Sequence, residues 1–299
     1  MKKIKTGILG LDGLLDGGFN EHSASILVGS AGTGKTTMAL QFLRKGLELG
    51  NEAIYITLEE SRDQIMAEAK SMGWEDIGTY IDAGSLVFLE AAGKDLADFI
   101  KEELPQFVDD WKGSHARIVI DPLTPVIWAF NDKYEQRMLV SELFKETKKV
   151  GTVLSTIEEY SGENGEETVI PQYLADSIVR IYTLGPGAGG NRMLSVLKSR
   201  QSWHSELTYP YRFVLGIGIV LDTTEMDGKR MKKLTPEMKL AITNTAANLP
   251  KREAEQIKNL MKYLERADLG DMPLEQIVDM LIEEYKGEEK VMDEPKLAS

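Results

Sequence analysis

An α/β fold is predicted: a mostly parallel central sheet flanked by helices, with antiparallel hairpin additions and a C-terminal helical extension. Three features of the chain predict it. Apolar runs of strand length alternate with segments of helical periodicity, the pattern of βαβ units. Several of those runs end in glycine or in an acid, where open parallel sheets place their ligands. Past residue 231, amphipathic segments opened by proline replace the strands, so the predicted divisions are a core over 1–231 and an extension with an acidic tail over 232–299.

The first buried strand, Ser23 to Val28, runs into Gly29-Ser30-Ala31-Gly32-Thr33-Gly34-Lys35-Thr36-Thr37, and an amphipathic run from Met38 to Leu43 follows. This is a G-x-x-x-x-G-K-[ST] loop in its required setting, between a strand and a helix. Its glycines let successive backbone N–H groups turn inward around a phosphate, and the helix adds the positive end of its dipole. Ser30 to Thr37 thus form a predicted cradle for a nucleoside triphosphate. Lys35 is placed to reach the β- and γ-phosphates, and the Thr36 hydroxyl to ligate Mg²⁺.

Composition narrows the class. With 42% hydrophobic and 28% charged residues, the chain is expected to be globular and soluble. The absence of cysteine excludes disulfides and thiolate metal sites and suits a reducing cytoplasm. The basic start, Met1 to Gly7, is followed by no apolar stretch, so neither a signal peptide nor a membrane span is expected. A net charge of −13 speaks against a partner held through its phosphate backbone. No membrane-surface helix stands out.

Taken in order, the glycine-punctuated segment Thr6 to Phe19 reads as a turn, a short helix and another turn. Glu52 to Leu58 is a buried parallel strand delivering Glu59 and Glu60, two carboxylates fit to orient or deprotonate an attacking water. The other reading of the pair is a solvated helix start, because Ser61 to Gly73 is helical. Gly84 to Glu90 is a strand, and Leu96 to Trp111 is a helix or helix pair broken at Pro105. Ala116 to Ile120 is an apolar strand ending in Asp121, which suits a carboxylate of the Mg²⁺ shell. Lys133 to Val150 is helical, with Met138, Leu139, Leu143 and Phe144 on one side, and Gly151 to Ile157 is a strand whose Ser155 or Thr156 is a candidate phosphate sensor. The polar loop Ser161 to Thr168 is acidic, unlike a nucleic-acid channel. Asp176 to Leu184 and Met193 to Arg200 form an antiparallel hairpin in which Lys198 and Arg200 share a face. Pro210 to Asp222 is a last strand or hairpin pair, and helices open near Pro236, Pro250 and Pro273.

Four separated motifs, in the right order, carry a resemblance. Thr6-Gly7-Ile8-Leu9-Gly10-Leu11-Asp12-Gly13-Leu14-Leu15-Asp16-Gly17-Gly18-Phe19 followed by the phosphate loop resembles the start of RecA-like ATPases, and most closely the KaiC family. The adjacent Glu59 and Glu60 resemble that family's catalytic acids. Lys198-Ser199-Arg200-Gln201-Ser202-Trp203-His204 is similar to its K-x-R-x-S-x-H motif. The resemblance implies a RecA-like P-loop core and a hexameric ring with ATP and Mg²⁺ between subunits. It further implies that Lys198 and Arg200 reach the phosphates of ATP held by the neighbour and that His204 frames the nucleotide. Two departures stand out. Full-length KaiC proteins carry two such domains where this chain has one. Gln172 and Tyr173 occupy the place of the family's Ser-Thr phosphorylation pair, so a clock-type autokinase is not expected.

The reading is therefore a cytoplasmic, slow, Mg²⁺-dependent ATPase whose nucleotide controls ring assembly and partner binding. The alternatives are a recombination accessory ATPase acting on DNA and a ring that binds ATP without hydrolysing it. The C-terminal helices are expected either to dock or self-associate, or simply to pack on the core.

Overall fold

The computed structural model of the chain describes residues 1–91, 95–111, 114–130, 132–159, 169–185, 192–223, 234–264 and 274–285. In chain order the elements begin with β1 (Lys3–Ile4), α1 (Leu11–Leu14), β2 (Phe19–Asn20), β3 (Ala24–Gly29), α2 (Lys35–Glu48) and β4 (Ala53–Thr57). Next come α3 (Arg62–Ser71), α4 (Asp76–Asp82), β5 (Leu86–Glu90), α5 (Leu96–Asp98), α6 (Leu104–Asp110) and β6 (Ala116–Asp121). They continue with α7 (Thr124–Trp128), α8 (Lys133–Val150), β7 (Gly151–Glu158), α9 (Val169–Leu174), β8 (Ser177–Thr183) and β9 (Arg192–Ser199). The chain closes with β10 (Thr208–Val214), β11 (Gly218–Leu221), α10 (Pro236–Ala247), α11 (Lys251–Leu264) and α12 (Leu274–Tyr285).

Nine strands form one sheet in the order β11-β10-β9-β8-β3-β7-β6-β4-β5. From β8 to β5 the pairing is parallel; β9, β10 and β11 extend it by antiparallel neighbours. The parallel part is covered on both faces, so its strands are apolar almost throughout; β3, β4 and β6 are buried at every position. One face packs on Met38, Leu40, Phe42 and Leu43 of α2, the other on Leu139, Val140, Leu143 and Phe144 of α8. Met138, placed on the apolar side of α8 by periodicity, is half exposed instead. Pro105 does not break its helix. A π-helical stretch over Phe99–Glu103 joins α5 to α6, and Pro105, the second residue of α6, sits just past that wider stretch, where the hydrogen-bond ladder shifts register.

The short ribbon β1–β2 ties the amino terminus to the start of β3, and no sequence pattern announced it. At the other end, α10, α11 and α12 pack through Met238, Ile242, Leu260, Ile277, Val278 and Leu281 against Leu9, Val214, Ile217 and Val220 of the core. The acidic tail, the loop 161–168, the turn 186–191 and the boundary placed at 231 lie outside the described residues. Among the described residues no helix is long and apolar enough to cross a membrane.

Where α12 meets the core, charge is buried. Lys45 of α2 pairs with Glu284 at 3.2 Å, both side chains under one-tenth exposed. Beside them Asp12 accepts a 2.8 Å hydrogen bond from the Thr6 N–H. Burial, and then the Glu284 charge, push the Asp12 carboxyl up to about 7, against the pull of Thr6 and Lys5. A carboxyl whose folded value is raised holds its proton better folded than unfolded. Its contribution is therefore full below the ordinary value of 3.8 and is lost as pH rises through about 7. Asp12→Asn is expected to flatten the decline of stability across this window, read by urea denaturation at successive pH values. An unchanged slope would contradict the assignment.

A second test concerns the tightest point of the sheet. A Cβ at Gly151 would lie 1.8 Å from the Ala116 carbonyl oxygen of β6, which is backbone and cannot step aside. Gly151→Ala should cost about 1–3 kcal/mol or more by overpacking. A wild-type denaturation midpoint would refute that.

Candidate nucleotide site

The carboxyl ends of β3, β4, β6 and β7 converge on a cavity of about 460 Å³ lined by Ala31, Gly32, Gly34, Lys35, Thr36, Thr37, Glu59, Glu60, Asp121 and Glu158. Its floor is the loop between β3 and α2. The Thr33 hydroxyl donates to the Ser30 carbonyl at 2.7 Å, and the buried Tyr211 hydroxyl of β10 donates to the Thr33 carbonyl at 2.6 Å. Ser30 and Thr33 thereby shape the loop from behind rather than line the cavity. Gly34 caps α2 with φ +95°, and a Cβ there would meet the Phe213 ring at 2.4 Å. Two independent constraints, a left-handed backbone and a close approach, therefore demand glycine. Space above Gly32 is open, with no atom within 4 Å of where a Cβ would sit.

Lys35 rests on the Ser30 carbonyl at 3.1 Å. Burial lowers its pKa, while Glu158, Asp121 and Glu59 oppose the shift. Thr36 lines the cavity, whereas the Thr37 hydroxyl is already used, donating to Glu68 at 2.6 Å. Asp121, at the tip of β6, is buried and doubly anchored. Tyr55 donates to one carboxylate oxygen at 2.5 Å and Thr156 donates to the other. Thr156 is thus a support for Asp121, and neither it nor Ser155 lines the cavity.

Glu59 and Glu60 follow β4 and precede α3. They are not its first turn: Ser61 is the cap, joined to Gln64 in a capping box, and the first-turn acid is Asp63. Thr57 accordingly fixes the bend by donating its hydroxyl to the Glu60 carbonyl at 2.5 Å. Partial burial first, and then the charges of Glu158 and Asp121, raise the Glu59 pKa against Lys35. Partial burial also raises Glu60, followed by Asp121, Glu68 and Glu59. Glu68 is raised by burial too, against its hydrogen bond from Thr37.

Four charged or aromatic lining residues were not anticipated. Glu158 ends β7 as Asp121 ends β6, so an acid at a parallel strand's carboxyl tip was the available signal. Glu68 sits two turns into α3, and only the helix direction turns it inward. Arg192 and Phe213 come from β9 and β10, with the guanidinium 4.9 Å from the ring centre. No local pattern foretells that approach.

The donor set fits a magnesium triphosphate. Loop amides and Lys35 suit phosphate oxygens, and Thr36 with Asp121 supplies the oxygen donors that Mg²⁺ prefers. Lys198, Arg200 and His204 are not brought to this cavity. Lys198 and Arg200 lie level with the start of β8, donating to the Gln172 and Tyr173 carbonyls of α9 at 2.9 and 2.7 Å. The His204 ring contacts the Ser205 carbonyl at 3.2 Å.

Several known proteins are similar to this chain. The circadian clock oscillator protein KaiC of Thermostichus vulcanus is 30% identical over 231 residues, covering 73% of this chain and 44% of its own. The circadian clock protein KaiC3 of Synechocystis sp. is 27% identical over 234 residues, covering 74% and 46%. The chain thus spans less than half the length of these curated relatives. The crystal structure of a KaiC-like protein from the hyperthermophilic archaeon Pyrococcus horikoshii OT3 superimposes with a TM-score of 0.62 at 27% identity. That match covers 74% of this chain and 98% of the other. The family described as "ATPase: KaiC" matches residues 4–225, a span that holds the phosphate loop, both glutamates, Asp121 and the Lys198–His204 run. By fold and by sequence, the chain belongs to the KaiC ATPase family.

Proposed function

We propose that the protein binds Mg²⁺-ATP in this cavity and hydrolyses it slowly, each site being completed by a neighbouring copy in a ring, a hexamer by family likeness. The observation that carries the reading is the convergence of Lys35, Thr36, Asp121 and the Glu59–Glu60 pair on one cavity. Lys35 and the loop amides hold phosphate oxygens; Thr36 and Asp121 hold Mg²⁺, which when bound neutralises charge on the β- and γ-phosphates. Glu59 or Glu60 positions or deprotonates the attacking water.

The trans half of the proposal rests on Lys198 and Arg200. Among the described residues neither forms an ion pair, and both spend their donors on backbone carbonyls. Burial and then Arg200 lower the Lys198 pKa, and Asp176 opposes them only in part. Around them Tyr173, Leu197, Trp203 and Leu207 are half exposed or more. Exposed apolar side chains of that kind fit burial against a second copy. Hydrolysis that depends on assembly would let ATP govern ring state and partner binding in the cytoplasm. Autokinase chemistry is not part of the proposal, because Gln172 and Tyr173 cannot reproduce the family's Ser/Thr phosphorylation.

Lys35→Ala should abolish ATP binding, and Lys198→Ala and Glu59→Gln should each lower turnover on the order of 10³-fold. Mixed in one ring, the last two are expected to regain part of the activity, because some interfaces then carry both intact halves. Mixed rings that form, by native mass measurement, yet release no phosphate would sink shared sites.

A pH dependence follows from the raised glutamates. The base works ionised, so turnover falls as pH drops through its pKa. The acid limb of kcat/KM, which reports the free enzyme, is expected above the ordinary glutamate value of 4.5. A limb at or below that value would exclude both residues as the base.

A further inference from the structure

At the opposite end of the sheet from the nucleotide cavity, two of the three histidines in the chain meet a glutamate. Glu21 and His22 form the turn between β2 and β3, and His115 immediately precedes β6. Their ligand atoms lie within 4.8 Å of one another, and the two imidazoles cross edge to face at 5.5 Å. We propose that Glu21, His22 and His115 bind a divalent transition-metal cation of the Zn²⁺ class, which clamps the starts of β3 and β6.

The turn is built to aim these groups. His22 takes a left-handed backbone, φ +55°, uncommon outside glycine, and its N–H is fixed by the Thr152 hydroxyl at 3.0 Å. Glu21 N–H is bound by the Lys2 carbonyl at 3.0 Å. The His22 ring places Nδ1 at 2.8 Å from the Lys148 carbonyl at the end of α8, where it donates. That bond fixes the tautomer and leaves Nε2 unprotonated, as an outer-shell carbonyl does for a metal-ligating histidine. His115 Nδ1 stands 3.1 Å from Glu21 Oε1, near the roughly 3.4 Å ligand-to-ligand edge of a tetrahedral zinc centre. Two imidazoles and a carboxylate are a donor set for zinc, cobalt or nickel rather than for magnesium. Lys2 competes, its ammonium 2.9 Å from Glu21 Oε1, yet that side chain is 58% exposed and free to swing away.

The test uses tag-free full-length protein without nucleotide, in excess Mg²⁺ to fill oxygen-donor sites. Zn²⁺ is titrated against a chromophoric chelator, and Co²⁺ is followed by its visible absorption. One metal per chain and a rise in Tm are expected. His22→Gln and His115→Gln should each weaken binding about tenfold or more. His115 is half exposed, so its replacement leaves the fold intact. Lys2→Ala should tighten binding by removing the competing ammonium. Wild-type affinity in His115→Gln, or no stoichiometric binding at all, would overturn the proposal. No step of the experiment involves ATP, so its outcome is separate from that of the nucleotide reading.

Discussion

Charge at the mouth of the phosphate loop is the constraint on which the rest of the molecule depends. Glu59, Glu60, Glu68, Asp121 and Glu158 face one another across a space where, among the described residues, the lining cations are Lys35 and Arg192. Carboxylates this close and partly desolvated raise one another's pKa, as seen at Glu59, Glu60 and Glu68. A triphosphate would add further negative charge, which a low-dielectric cleft penalises heavily. The arrangement is stable with substrate only if positive charge arrives with it or from outside. The donor set answers the first need with oxygen ligands for Mg²⁺. Under the proposed assembly, Lys198 and Arg200 of a neighbour answer the second.

Much of this was legible in the sequence because it is encoded locally. The glycine loop needs its glycines, and Gly34 is fixed both by its backbone angle and by the Phe213 ring. Asp121 could be found as an acid closing an apolar strand, since a parallel sheet carries such residues to one edge. What was not legible arises from contacts distant in sequence. Tyr55 and Thr156 approach Asp121 from the strands on either side of β6, a relation set by strand order alone. Arg192 and Phe213 reach the cavity only because β9 and β10 extend the sheet beyond β8. Met138 shows the converse, a residue of the right periodicity left at the rim of the apolar stripe.

Strand direction also explains why Lys198 and Arg200 do not reach the cavity of their own chain. β8 runs parallel to β3, pairing Gly29 with Ile181 at the phosphate-loop end. β9 runs back antiparallel, so Lys198 falls opposite Ile178, level with Ile26 rather than with the loop. Three residues of strand separate those levels, about 10 Å along the sheet. Lysine and arginine side chains attached there, and already turned toward the α9 carbonyls, point away from their own nucleotide cavity. The topology that creates the cradle therefore keeps these two cations away from it.

Helix α2 links the chemistry to the C-terminal helices in a concrete way. Its first residues, Lys35 to Thr37, line the cavity. Midway, Gln41 donates to the carbonyls of Gly7 and Ile219 and accepts from the Ile219 N–H, binding the amino-terminal segment and β11 together. One turn later Lys45 holds Glu284 of α12. An α-helix resists bending over so few turns, and a buried ion pair is costly to break by losing one partner. A rigid rod gripped at both ends makes the position of the phosphate loop and that of α12 parts of one mechanical unit. The C-terminal helices are thus tied to the nucleotide site by packing rather than by any chemical group of their own.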